Sequence, residues 1–186
     1  NIVEKLGCYA QIPKMYGPLS EFLRQNIRGG NVVLKDNVPH DILGAIVDVD
    51  VNSEYPYSQC NLPAGHPIYL EDEELQQEVR NHIAGTPHFP HICVKINIIK
   101  IPEDLKLSYI PHTNAKGVRK FVYKMPPGVD VIKFVGMQHS LRILEQKLGM
   151  RLGEHYYISS GIAYPGNDTT LGFVTKRLYT MRNQAK

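Results

Sequence analysis

The chain has 186 residues, 42% of them hydrophobic, with 21 Lys and Arg against 18 Asp and Glu and a net charge of +3. That size and apolar content suffice for one compact core, and so mild a basicity does not by itself specify a nucleic-acid partner. No apolar run nears the ~18 residues of a membrane span and no signal-peptide pattern appears, so the expectation is a cytoplasmic chain with no membrane partner; Cys8, Cys60 and Cys93, odd in number and far apart, suit reduced thiols.

In chain order, residues 1–17 read as an extended lead-in. Pro18 and Ser20 open a helix that Gly29 and Gly30 close by supplying positive φ, with Arg28 suited to the negative end of the helix dipole. Residues 31–35 and 43–51 form two strands of an antiparallel ribbon around a polar loop holding Asp36, Asn37 and Pro39. The second strand, rich in β-branched residues, carries Asp48 and Asp50 on one face and Val47, Val49 and Val51 on the other, and Pro56 forbids its continuation.

Four acids, Glu71 to Glu74, start a helix over 71–80, where the dipole favours them, and they read as a solvated face. Residues 89–100 form a strand with Ile92, Val94, Ile96 and Ile98 on one face. Strands over 118–124 and 129–135 flank a loop at 125–128, and residues 137–148 form a helix, 155–158 a strand and 173–182 a last helix. Phe173, Leu178 and Met181 supply part of the apolar stripe of that helix, with Lys176, Arg177 and Arg182 on its surface. His82, His88, His91 and Cys93 are of ligand type, but their spacing matches no zinc pattern. Lys116, Arg119, Lys120 and Lys124 interleave with Phe121 and Tyr123, which suits either a solvated hairpin edge or a nucleic-acid groove.

A lone carboxylate at a strand end is ordinarily a turn former. Asp50, however, heads Asp50-Val51-Asn52-Ser53-Glu54-Tyr55-Pro56, which resembles the first catalytic motif, Asp-x-x-Ser-x-Tyr-Pro, of family B DNA polymerases, and most closely that of their protein-primed phage and linear-plasmid branch. Upstream, Arg28-Gly29-Gly30 matches the Tyr-Arg-Gly-Gly loop that touches template phosphates in that family, with Ile27 in place of Tyr. Downstream, Leu62-Pro63-Ala64-Gly65-His66-Pro67 and Tyr109-Ile110-Pro111 follow in the family's order, and the resemblance spans roughly positions 20 to 186.

The resemblance implies an α+β fold: part of an antiparallel polymerase palm sheet with helices and a small inserted α+β lobe. Residues 1–17 are then a lead-in, 18–70 a partial palm, 71–165 the inserted lobe that contacts DNA or a priming terminal protein, and 166–186 a helix returning to the palm. It implies that Asp50 and the Val51 carbonyl hold Mg²⁺, a hard cation that takes oxygen ligands, in a two-metal site with ions roughly 3.5–4 Å apart. Ser53 would lie near the triphosphate of a deoxynucleotide, and Tyr55 under its sugar, excluding a 2′-hydroxyl. Arg28, Gly29, Gly30, Arg119, Lys120, Lys176 and Arg177 are the implied DNA contacts.

The family's Asp-Thr-Asp turn occurs nowhere in the chain, and its Lys-rich helix ending in Asn-Ser-x-Tyr-Gly would begin where the sequence stops. The expectation is an excised piece of a longer polypeptide, inactive alone. The alternative is a free-standing module that binds DNA or a priming protein without chemistry. Glu54, where the family usually has an apolar residue, supports that alternative, because its charge would repel a triphosphate unless a cation offsets it.

Overall fold

The computed structural model describes residues 17–25, 61–105 and 108–184. Helix α1 (Gly17–Arg24) is followed by β1 (Leu62–Ala64), β2 (Ile68–Leu70), α2 (Asp72–Ala84), β3 (His91–Ile98), β4 (Ile110–Thr113) and β5 (Arg119–Val122). Then come β6 (Ile132–Met137), helix α3 (Gln138–Arg142, widening into a π turn over Ile143–Lys147), β7 (Tyr156–Tyr164), β8 (Gly166–Asp168) and α4 (Thr170–Gln184). This is an α+β fold in which every ladder between these strands is antiparallel.

Its centre is a four-stranded sheet in the order β2-β7-β3-β6. On one face Ile92, Val94, Ile96 and Ile98 of β3 meet Leu75 and Val79 of α2 and Leu141 and Leu144 of α3 in the main core. On the other, Leu19, Phe22 and Leu23 of α1 pack on a smaller cluster of Cys93, Val135, Ile162 and Tyr164. The strand expected to bury one face is therefore central and covered on both, with Cys93 fully buried and Asn97 2% exposed. Its neighbours on each side explain this, since β6 and β7 pair with it over nearly its whole length.

Strand β7 runs six residues past the expected end at 158. Ser159, Ser160 and Gly161 are poor strand formers, yet the ladder absorbs them: Lys95 pairs with Ser160 and Ile96 with Ile158, leaving Ser159 as a bulge. Asn97 Nδ2 donates to Ser159 Oγ at 2.9 Å and holds the bulge in place.

The β1–β8 and β2–β7 pairings form one ribbon bent at Gly65 and Pro165. The partner positions shift by one across the bend, from Ala64 opposite Gly166 to Ile68 opposite Ala163. Gly65 has φ of 89°, and a β-carbon there would lie 2.9 Å from Pro165 Cγ. The glycine of the Leu62-Pro63-Ala64-Gly65 run is thus required by both backbone sign and space.

Other expectations are corrected in detail. Helix α1 ends at Arg24, before the two glycines, where the Gln25 N–H turns back to the Phe22 carbonyl. The strands expected on either side of 125–128 are present, with β5 taking β4 as its partner and β6 taking β3. The helix expected over 137–148 is α-helical only to Arg142, and its wider π turn keeps Leu144 and Leu148 in the core with Leu141.

The last helix departs most from its expected stripe. Phe173 and Met181 are more than half exposed, Leu178 is also exposed, and the buried residues are Gly172 and Val174. In this helix only residues 170–172, 174 and 175 are partly or fully buried; every residue from Lys176 to Gln184 is exposed.

Candidate functional site

Asp50, Val51, Ser53 and Tyr55 lie outside the described residues, as do Arg28, Gly29 and Gly30 and the ribbon expected over 31–51. The described part of the candidate site is its basic surface, which falls on two separate elements.

The first is the β4–β5 hairpin. Asn114 organises its turn, with Oδ1 accepting the N–H groups of Lys116 and Val118 at 3.0 Å each, and its own N–H reaching the Val118 carbonyl. Side chains opposite one another across an antiparallel pair share a face. Ile110 and Val122 point into the core, and His112 and Lys120 continue that face outward. Arg119 pairs with Thr113 and shares the other face with Phe121. The expected strand alternation thus holds, and it separates Arg119 from Lys120: both are exposed near the tip but reach to opposite sides. Lys124 Nζ stands 5.8 Å from the Tyr123 ring centroid, within cation–π range.

The second element is α4, whose start is fixed by Asp168. That carboxylate is 5% exposed and accepts the Thr170 N–H at 2.7 Å. Beyond the packed turn, Phe173, Lys176, Arg177, Thr180 and Met181 line an open groove of about 360 Å³. Lys176 and Arg177 are thereby brought beside apolar side chains, an arrangement that can grip a phosphate backbone and stack or cover its sugars or bases.

Sequence reasoning missed the buried polar residues. Glu71 to Glu74 are solvated as expected, but Glu78, one turn on, is buried. Its carboxylate accepts the N–H of Phe89 at 2.9 Å and that of His88 at 3.0 Å, tying α2 to the approach to β3. His82 Nε2 lies 3.3 Å from Glu78 Oε1. Burial holds His82 below its ordinary pKa, and the Glu78 charge opposes this without reversing it. Leu75, Glu78, Val79 and His82 fall at the spacing of one helix face, so the signal was present but disguised by charge.

Nearby, Gln138 Nε2 lies 2.9 Å from His91 Nδ1, and burial lowers the His91 pKa against the side chain of Asn167. Burial, with the Cys93 thiol alongside, pushes the Tyr164 phenol up to about 12. Glu145 Oε1 accepts both the Tyr156 hydroxyl at 2.7 Å and the Leu152 N–H at 2.9 Å, and burial raises the Tyr156 pKa. These groups are structural ties. Among the described residues, no three His, Cys, Asp or Glu side chains are grouped to hold a metal ion, and no helix is long and apolar enough to cross a membrane.

Comparison with known proteins bears on the rest. The family model for DNA polymerase type B, organellar and viral, matches residues 3–186. A probable DNA polymerase of Agaricus bitorquis is 21% identical over 182 residues, which are 94% of this chain and 20% of that protein. The fold is similar to part of phi29 DNA polymerase complexed with primer-template DNA and incoming nucleotide substrates, with a TM-score of 0.60 and 23% identity over 96% of this chain and 30% of that one. An orthorhombic crystal form of phi29 DNA polymerase gives a TM-score of 0.57 at 20% identity, again over 96% of this chain and 30% of that one. The chain therefore spans under a third of the length of each of these relatives.

Proposed function

Because the chain belongs to the type B DNA polymerases of the organellar and viral group, we propose that it is the part of such an enzyme that carries one metal-binding carboxylate and the nucleotide sugar gate. The observation that carries this reading is the run Asp50-Val51-Asn52-Ser53-Glu54-Tyr55-Pro56 inside the stretch that the family model matches.

In this reading Asp50 and the Val51 carbonyl hold a divalent cation, and a carboxylate with a backbone carbonyl is the all-oxygen donor set that magnesium prefers. When bound, such an ion stabilises charge on the oxygens of the α-phosphate during in-line displacement. Ser53 lies by the triphosphate of the incoming deoxynucleotide, and Tyr55 packs beneath its sugar, where a 2′-hydroxyl would clash. Residues 18–70 belong to the palm, 71–165 to a lobe that touches DNA or a priming terminal protein, and 166–186 return to the palm.

The DNA is held by Arg28 and the bare amides of Gly29 and Gly30, by Arg119 and Lys120 on the two sides of the hairpin, and by Lys176 and Arg177 in the α4 groove. Their separation supports contact with more than one stretch of backbone, which positions a duplex without reading its sequence.

Asp50→Asn in the full-length protein tests the reading. It removes a charged ligand and hardly changes volume, so primer extension should be abolished while the melting temperature stays that of the parent. Retained synthesis would overturn the assignment.

A further inference from the structure

His91 stands beside the bend of the β1–β8 ribbon. It opens β3 opposite Tyr164, the residue before Pro165, and is 5% exposed. The Gln138 amide at the start of α3 fixes its ring: Nε2 lies 2.9 Å from His91 Nδ1, while Oε1 accepts the Ile92 N–H at 3.3 Å. Because that oxygen is committed to the backbone, the amide presents a donor, and the neutral imidazole accepts at Nδ1 and carries its proton on Nε2. The Asn167 side chain of β8 meets the same ring. We propose that His91 is a positioning residue, which through Gln138 and Asn167 sets the angle between the central sheet and the β1–β8 ribbon and so the place at which α4 offers Lys176 and Arg177 to DNA.

The connection from ribbon to helix is stiff. Only Thr169 separates β8 from α4, the Phe173 N–H reaches its carbonyl at 2.9 Å, and the buried Asp168 carboxylate accepts the Thr170 N–H at 2.7 Å. The connection from ribbon to sheet is not. β8 pairs with β1 and with no strand of the four-stranded sheet, so its angle to that sheet depends on side chains at the bend. Lys176 and Arg177 stand roughly 10 Å along α4 from its start, and a rotation at the bend therefore displaces them further than it moves Asn167.

The tie is also proton-sensitive. A second proton would go to Nδ1 and face the Gln138 donor, and turning that amide would strip the Ile92 N–H of its acceptor. Around the ring are Tyr164 of β7, whose phenol is pushed up to about 12 and is neutral, and His82 of α2, whose charged form opposes that of His91. The Glu78 carboxylate and Arg142 of α3 act on His82 with opposite signs, and His139 follows Gln138 on α3. Burial holds His91 below its ordinary pKa. The tie is thus intact above about 6.5 and opens as pH falls toward the lowered folded value.

The contribution of α4 to DNA binding rests on the polymerase reading, whereas the tie itself can be read without DNA. Two measurements on the full-length protein are paired: amide hydrogen exchange of the peptides over 62–68 and 164–172, corrected for the intrinsic pH dependence, and primer extension resolved into kcat and KM for primer-template. His91→Phe should speed exchange in both peptides at pH 8 and raise that KM about fivefold, the value of one hydrogen bond, with kcat little changed. His91→Asn keeps an acceptor near the Nδ1 position and should restore both. Asn167→Ala should repeat the His91→Phe result if that variant fails to fold.

In the parent, exchange should quicken and KM should rise below pH 6.5. His91→Asn, which does not titrate, should lose that response. Gln138→Glu should lose it too, because a carboxylate accepts the Nδ1 proton and still accepts the Ile92 N–H. A merely structural histidine would not answer to a substitution at Gln138 in this way. Parental exchange in both His91→Phe and Asn167→Ala, or a pH response in His91→Asn equal to the parent's, would overturn the inference, as would altered exchange with an unaltered KM. Exchange that behaves as expected in a parent unable to extend any primer would instead strike the polymerase reading and support the tie.

Discussion

The Leu75 Cδ1 methyl stands 2.5 Å from the point where a β-carbon on Gly161 would lie, so α2 meets β7 at a position that only glycine fills without displacement. Val94 Cγ1, at 3.0 Å from the same point, closes the space from the neighbouring strand. Gly161→Ala should therefore destabilise the protein by about 1–3 kcal/mol through overpacking. Combining it with Leu75→Ala should cost less than the sum of the two single changes, since the second removes the obstructing methyl. Urea unfolding of the four proteins measures the coupling, and strict additivity would show that α2 shifts instead.

Glu78 is expected to be the most costly acid to remove among the described residues. Truncation to alanine leaves the N–H groups of His88 and Phe89 without their acceptor, a loss on the order of 2–4 kcal/mol. Glu78→Gln keeps one acceptor oxygen and should cost less. Denaturant midpoints compare them. A loss under about 1 kcal/mol for the alanine variant would mean that water replaces the carboxylate.

Stability should fall on mild acidification. Burial lowers the His82 pKa despite Glu78, with Arg142 and His91 also disfavouring its charged form, and burial lowers that of His91. The unfolded chain then binds protons that the folded one refuses, so stability is full above the ordinary histidine pKa of about 6.5 and declines as pH drops from there toward the lowered folded values. Urea midpoints taken from pH 8 to pH 5 should decrease below about 6.5. His82→Gln should flatten part of that decline; a profile as steep as the parent's would assign it to other groups.

Tyr55→Val should relax sugar discrimination in the full-length enzyme, because the smaller side chain opens space for a 2′-hydroxyl. Competition between ribo- and deoxynucleotides in primer extension reads the ratio directly. A variant that rejects ribonucleotides as the parent does would move the gate to another residue.

Much of the architecture was legible from local pattern. The helix after Glu71, the strand through Ile92 to Ile98 and the terminal helix follow from periodicity and capping, and the Asp50 to Pro56 run carries the family resemblance on which the proposed chemistry rests. What local pattern left open was partnership. It placed strands on both sides of 125–128 without naming their partners, which are β4 for one and β3 for the other. It also read Phe173, Leu178 and Met181 as part of an apolar stripe, and all three are exposed.

Residue chemistry alone determined the family likeness and the carboxylate, ring and cations on which the proposed activity depends. Only the folded chain decided which polar groups are buried. Glu78, His82 and Asp168 are of residue types mostly found at the surface, and they lie inside because backbone donors and apolar neighbours converge on them. The bulge at Ser159 likewise exists only through register. Side-chain type sets what a residue can do, whereas pairing between segments far apart in sequence sets what it meets.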